Sequence, residues 1–413
     1  MRSASCIEVS PRRRLLMLSL LAGATLSVGG CSGGSDEAAP SEPPKPGQSV
    51  SEAARALVNA GLVGGAVSWV DTDPAASASA VAGVRCLGTS NAISLNDVFD
   101  IGSNMKAMTA MVIASVVAQG RLTFETRIAQ ALPALSEVMR PEYAQVTLEH
   151  LLNHQGGVLP FQGQSDDETQ FFAALQADEG AMPETPIGRR RYFAAWLVQQ
   201  APAEGVRPGL DFLYSNAGYA LAAAMVEAVT GETFESIFEA QIVGLLGVAG
   251  QWRTPAESPT SRTSVQPCGH EGAPPTLNVY VPSSEIIEAD PWVRVLAPSG
   301  NWVCTVDAYA RWLRWHLLAL QGASTPLPGG YLVRLQRLVP DAYAMGWACK
   351  QVGQERLLMH TGSNPGFMAE VALALSGRYA VSCFCNNEDD SSGWVFQRLD
   401  QALGEVLRRY RRS

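Results

Sequence analysis

The chain has 413 residues, 47% of them apolar and 17% charged, with a formal net charge of −9. That composition suits one large or two ordinary globular domains with a sizeable core. An acidic balance with no long Lys/Arg stripe after residue 14 leaves a nucleic-acid partner without an electrostatic footprint.

Arg12, Arg13 and Arg14 form a basic n-region ahead of an apolar run over residues 15–28. The run is too short, and too rich in Gly, Ser and Thr, for a membrane span. Residues 1–30 are expected to be a signal peptide, whose arginines fit an ordinary or a twin-arginine export route. Val28-Gly29-Gly30-Cys31 resembles the lipobox of bacterial lipoproteins, which implies lipidation of Cys31 and anchoring to a membrane of the cell envelope or periplasm. Residues 31–50, mostly Gly, Ser, Ala, Pro and Glu, read as a flexible tether. Six cysteines follow, and six allow fifteen pairings that spacing does not choose among. Cys383 and Cys385 would share one strand face, a poor geometry for a mutual bond. No Cys/His cluster has zinc-finger spacing and no His-Glu-x-x-His occurs, so neither a metal nor a cofactor is expected.

Residues 51–413 contain no second tether and no repeat, and read as one domain. Residues 64–70 and 78–86 form a strand pair around the turn signal Asp73-Pro74. A mostly helical stretch runs from Lys106 to about Gly247. Strands return at 343–352, 355–360, 366–375 and 379–386, and an amphipathic helix over 393–409 ends the chain. Strands at both ends with helices between them predict an α/β (α+β) domain: one sheet built from both ends of the chain, and a helical subregion beside it. The groove between the two is the expected place for a site.

Three segments carry chemistry. Ser103-Asn104-Met105-Lys106 enters an apolar helix that stops at Gly120, so Ser103 lies in the first turn with Lys106 three residues on, on the same face. A serine hydroxyl needs a base, and a lysine amine serves when its pKa is lowered by burial or neighbouring charge. Tyr214-Ser215-Asn216 follows Pro208-Gly209 and precedes a second apolar helix. Its phenol can relay a proton and its amide can orient a carbonyl, although Ser215 or Asn216 could equally be a plain N-cap. His360-Thr361-Gly362-Ser363 ends an apolar strand, where a glycine lets a ligand approach the backbone. Taken alone, each segment has an ordinary structural explanation.

Together and in this order, Ser-x-x-Lys, Tyr-x-Asn and a basic residue-Thr-Gly resemble the penicillin-recognising serine hydrolases. Within these, the closest resemblance is to the class C β-lactamase-like family of D-aminopeptidases, D-Ala-D-Ala carboxypeptidases and esterases. The resemblance spans nearly all of residues 51–413 and takes in His150-Leu151-Leu152-Asn153-His154 before Gly156-Gly157, Pro298-Ser299-Gly300, Tyr343–Trp347 and Asn386-Asn387. It implies an antiparallel sheet flanked by helices, plus an all-helical subregion. It also implies that Ser103 forms an acyl-enzyme, that Lys106 and Tyr214 share acid and base duties as one coupled system, and that Asn216 holds the substrate. The third motif, His360 to Ser363, would line the substrate site, and the backbone N–H groups of Ser103 and Ser363 would form an oxyanion hole.

Two positions depart from the family pattern. His360 stands where β-lactamases carry a lysine, and a histidine with pKa about 6.5 is mostly neutral at neutral pH. That favours esters, small amides or peptides over carboxylate-bearing substrates such as penicillins. Gln155-Gly156-Gly157 replaces the common Thr-Ser-Gly. The alternatives are a true β-lactamase or D-Ala-D-Ala carboxypeptidase, or a sensor that acylates without turning over. His150, His154, His270 and His316 are assigned to structure, and the Trp-rich stretch 302–315 to the core.

Overall fold

The computed structural model describes residues 46–163, 166–178, 183–253, 264–389 and 392–410. The expected signal segment, Cys31 and most of the tether lie outside the described residues. Helix α1 (Pro46–Asn59) corrects the expected tether boundary at Val50, because the last five tether residues are helical. Pro46 opens the helix, where a missing N–H costs nothing. Val50, Ala53, Ala54 and Leu57 then recur at helical spacing and are buried along one stripe. A Pro/Gly/Ser-rich start had disguised the first turn of an amphipathic helix.

Seven strands form one antiparallel sheet: β1 (Gly64–Val70), β2 (Ala78–Gly83), β3 (Tyr343–Ala344), β4 (Trp347–Val352), β5 (Glu355–Asn364), β6 (Phe367–Ala374) and β7 (Ala380–Cys385). Their order is β2-β1-β7-β6-β5-β4-β3, so the two ends of the chain meet at the β1–β7 pair, with Gly65 opposite Cys385. The expected single strand over 343–352 is split in two. Met345 and Gly346 both have positive φ, as a tight two-residue hairpin turn requires. The expected strand end at His360 extends to Asn364, because Thr361 and Gly362 go on pairing with Glu370 and Ala369.

Both faces of the sheet are covered, so β1, β6 and β7 are buried along their whole length. Side chains alternate between two cores. Val67, Trp69, Met368 and Val381 pack with α1 and the C-terminal helix α6 (Trp394–Tyr410). Ala66, Val70, Ala369 and Val371 face the larger core. That core contains α2 (Met105–Ala118), α3 (Pro186–Gln199), α4 (Asn216–Thr230) and α5 (Val306–Leu320). One disulfide joins Cys86 to Cys268, and the remaining described cysteines, Cys304, Cys349, Cys383 and Cys385, are free and buried.

The helical subregion is tied by a buried charge cluster. Arg190 on α3, 1% exposed, pairs with Glu227 on α4 and with Glu235. Arg190→Met strands the Glu227 carboxylate inside the protein, and loss of one partner of such a pair costs about 3–5 kcal/mol. Urea unfolding of this variant is expected to show that loss in the midpoint.

Candidate active site

Ser103 sits in a single 3₁₀ turn, Gly102–Asn104, that runs directly into α2. Every residue of α2 up to Val116 is buried, so Lys106 in its first turn is held with no solvent exposure. Its Nζ lies 2.9 Å from Ser103 Oγ, 2.7 Å from Asn216 Oδ1 and 2.7 Å from the Ser299 carbonyl. Burial alone pushes the lysine pKa well below its ordinary value. A neutral amine has two N–H bonds and one lone pair. In that form the two carbonyl oxygens can accept both N–H bonds, which leaves the lone pair for the Ser103 hydroxyl.

Ser215 caps α4 by accepting from the Gly218 N–H, so the N-cap alternative holds for the middle residue of the second motif. Its neighbours on either side turn toward Lys106. The Asn216 Nδ2 donates to the Phe161 carbonyl at 2.7 Å, which turns the Oδ1 toward Lys106. The Tyr214 ring centroid is 4.8 Å from Lys106 Nζ, and its buried hydroxyl has no hydrogen-bond partner among the described residues. Burial raises the phenol pKa, with the nearby Ser103 hydroxyl acting against it.

His360 is inside strand β5 and 1% exposed, with its ring 6.3 Å from that of Tyr214. Its Nδ1 lies 2.8 Å from the Thr361 carbonyl, an acceptor only, so Nδ1 carries the proton. Nε2 therefore accepts from the Tyr343 hydroxyl at 3.0 Å. Burial first, and Lys106 second, push the imidazole pKa down to about 3. This histidine is neutral at physiological pH. Strand alternation turns Thr361 and Ser363 to the other face from His360, and among the described residues no hydrogen bond joins their side chains to Ser103, Lys106 or Tyr214.

Close backbone approach places the nucleophile turn against β5. Gly102 has φ +49, and a Cβ there would lie 2.5 Å from the Ser363 nitrogen. A Cβ on Gly362 would lie 1.9 Å from the Ile101 carbonyl oxygen. Asp100 brackets the turn: its Oδ1 accepts from Gly102 N–H and from Asn364 Nδ2, both at 2.9 Å, and its Oδ2 pairs with Arg253 at 3.1 Å.

Residues 50–402 match the family described as Beta-lactamase. The chain belongs to the β-lactamase family. Among curated relatives it is 26% identical over 239 residues to penicillin-binding protein 4 of Amycolatopsis lactamdurans, covering 57% of this chain and 55% of that one. It is 23% identical over 357 residues to an unguisins hydrolase of Aspergillus violaceofuscus, covering 78% and 59%. The chain thus spans little more than half the length of these relatives. Among solved structures, the D-amino acid amidase of Ochrobactrum anthropi SV3, complexed with L-phenylalanine, superposes with a TM-score of 0.65 at 16% identity, covering 88% of this chain and 98% of that one.

In this β-lactamase-family site the structure gathers Ser103, Lys106, Tyr214, Asn216 and His360. Sequence reasoning missed four contributors. The Ser299 carbonyl carries no side-chain signal. Asp100 is detectable only as an Asp two residues before a glycine, a spacing that also fits an ordinary turn. Tyr343 lies in a segment of the family resemblance that implies no role for it, and its bond to His360 depends on a hairpin that brings the two within reach across the intervening strand. His154 was assigned to structure, yet its ring lies 4.1 Å from that of Tyr214.

Proposed function

We propose that the protein is a serine hydrolase that cleaves esters or small amides and peptides through an acyl-enzyme on Ser103. The observation that carries this is the contact set of Lys106: a buried amine, paired with no carboxylate among the described residues, that lies 2.9 Å from Ser103 Oγ and 2.7 Å from each of two carbonyl oxygens, with its pKa lowered by burial. Ser103 Oγ attacks the substrate carbonyl as its proton passes to Lys106 Nζ. The peptide N–H groups of Ser103 and Ser363 receive the oxyanion. Tyr214, beside both groups, relays that proton to the leaving alcohol or amine as the tetrahedral intermediate collapses. Water then attacks the acyl carbon, gives its proton to the Tyr214–Lys106 pair, and Ser103 leaves as the free hydroxyl. Asn216 holds the substrate and keeps Lys106 in place.

The neutral His360 favours substrates with no carboxylate at that position, since it offers no cation to one. The amidase name of the solved relative agrees with acyl transfer from small amides. A β-lactamase or D-Ala-D-Ala carboxypeptidase uses the same chemistry and is the second reading, favoured by the curated penicillin-binding relative. The two are separated by comparing wild-type and Ser103→Ala protein on a short-chain p-nitrophenyl ester and on a chromogenic cephalosporin. Ester turnover that disappears in the variant, with little cephalosporin turnover, is expected. Efficient cephalosporin turnover would put the second reading first.

We also infer export and anchoring through Cys31, supported by the basic n-region, the apolar run and the small residues before the cysteine. The Cys86–Cys268 disulfide fits an oxidising compartment. Detergent partitioning of wild-type and Cys31→Ser protein from a bacterial host tests this, and only the wild type is expected to enter the detergent phase.

A further inference from the structure

The mechanism makes demands on where the Tyr214 hydroxyl sits, yet among the described residues only the Ser103 hydroxyl acts on it, and no group outside the reacting set holds it by a hydrogen bond. Its position must come from the backbone on either side and from the ring. Both lead to His154. The His154 carbonyl accepts from the Leu213 N–H at 2.7 Å, and the His154 Nδ1 accepts from the Ser215 N–H at 3.1 Å. The residues before and after Tyr214 are therefore bonded to one residue far back in the chain. The same imidazole lies against the tyrosine ring, with centroids 4.1 Å apart and planes tilted by 35°.

We propose that His154 is a positioning residue for Tyr214, gripping the peptides on both sides of it and one face of its ring so that the phenol stays beside Ser103 and Lys106. The inference rests on the hydrolase reading above. Three further observations set His154 apart from a packed core histidine. It has φ +57, a left-handed conformation that is costly for a residue with a side chain and tends to persist where function needs it. Because Nδ1 accepts, the ring proton is on Nε2, which is buried with no hydrogen-bond partner among the described residues, so the residue gives up a bond to stay in this place. The ring is also boxed by Tyr343 at 4.7 Å, Tyr219 at 5.2 Å and Phe212 at 5.8 Å, and the first of these donates to His360. Burial, with Lys106 and His360 adding to it, keeps the imidazole uncharged, so it does not compete with the catalytic amine for a proton.

His316 is a useful contrast. It is equally buried, but its Nδ1 and Nε2 both have partners, Trp312 O and Tyr331 Oη, each at 3.0 Å, and neither partner is a site residue.

The test uses the folded domain and two substitutions. His154→Ala removes the stack and the acceptor. His154→Asn keeps an acceptor for Ser215 and tolerates the left-handed backbone, but loses the ring, and so serves as the conservative variant if the alanine form does not fold. The readout is the rate of Ser103 acylation by a p-nitrophenyl ester, measured as the burst, together with kcat and KM. Each variant is also made in a Tyr214→Phe background. His154→Ala is expected to lower the burst rate and kcat by about 10- to 100-fold with little change in KM, and His154→Asn to recover part of that loss. In the Tyr214→Phe background the same substitutions should change the rate less than threefold, since no phenol remains to be placed. Additive losses in the double variants, or an undiminished burst in His154→Asn, would overturn the inference and leave the hydrolase reading intact. A wild-type protein without any Ser103 burst would overturn both.

Discussion

Lys106→Met is expected to slow acylation of Ser103 by about 10²- to 10⁴-fold, the range that a positioned general base contributes. Methionine has nearly the length of the lysine stem and no charge, so it suits a site with no solvent exposure. The Asn216 amide and the Ser299 carbonyl each lose a donor at 2.7 Å, which costs about 1–3 kcal/mol apiece where water does not replace it. That leaves a folded but less stable protein, and circular dichroism separates the two effects. The pH profile gives the sharper check. The amine must be unprotonated to accept the serine proton. Burial lowers its pKa, so the free base persists to lower pH than for an ordinary lysine and is lost as pH falls through the lowered value. The Tyr214 phenol is raised, so it keeps its proton from neutral pH well into the alkaline range. Wild-type kcat/KM should fall on the acid side and stay level through neutral pH, with the limbs belonging to the coupled pair. Lys106→Met should show a low rate with no acid limb of that origin.

Gly362→Ala is expected to lower kcat/KM by at least about 100-fold, comparable to the loss from misplacing a reacting group by one ångström. The new Cβ would meet the Ile101 carbonyl oxygen at 1.9 Å and the Asn104 Nδ2 at 2.9 Å. The first is backbone, and the second is the end of a buried amide already committed to the Ile101 and Ala369 carbonyls. Ile101 O also accepts from the Asn104 N–H and from Nδ2, so pushing it aside moves the turn that carries Ser103. The seven-stranded sheet has no reason to come apart, because Gly362 is one residue in the ten of β5. Gly329→Ala is the control: a Cβ there meets nothing within 4 Å, and the glycine lies at the start of a helix. Its rates should match wild type.

The order of the three motifs made much of the site legible in the sequence. Ser103 and Lys106 are three apart on one helix, so a local rule of helical spacing puts them together. The two-ended sheet was also readable, since apolar strands with turn signals stand at both ends of the chain. What escaped was set by long-range backbone contact. The 154–214 pairing joins a loop to a distant turn through peptide groups, and a peptide group looks the same at every position in a sequence. The helix at Pro46 escaped because Pro, Gly and Ser are common both in tethers and in first helical turns. The hairpin at Met345-Gly346 was hidden within an apolar run, and only a positive φ on a methionine shows that the strand ends there.

The most direct test of the central claim is intact-protein mass spectrometry after incubation with a fluorophosphonate probe, followed by peptide mapping. A single adduct, located on Ser103 and lost in Ser103→Ala, is the predicted result. No adduct on a folded protein, or an adduct mapped to another serine such as Ser215 or Ser363, would contradict it.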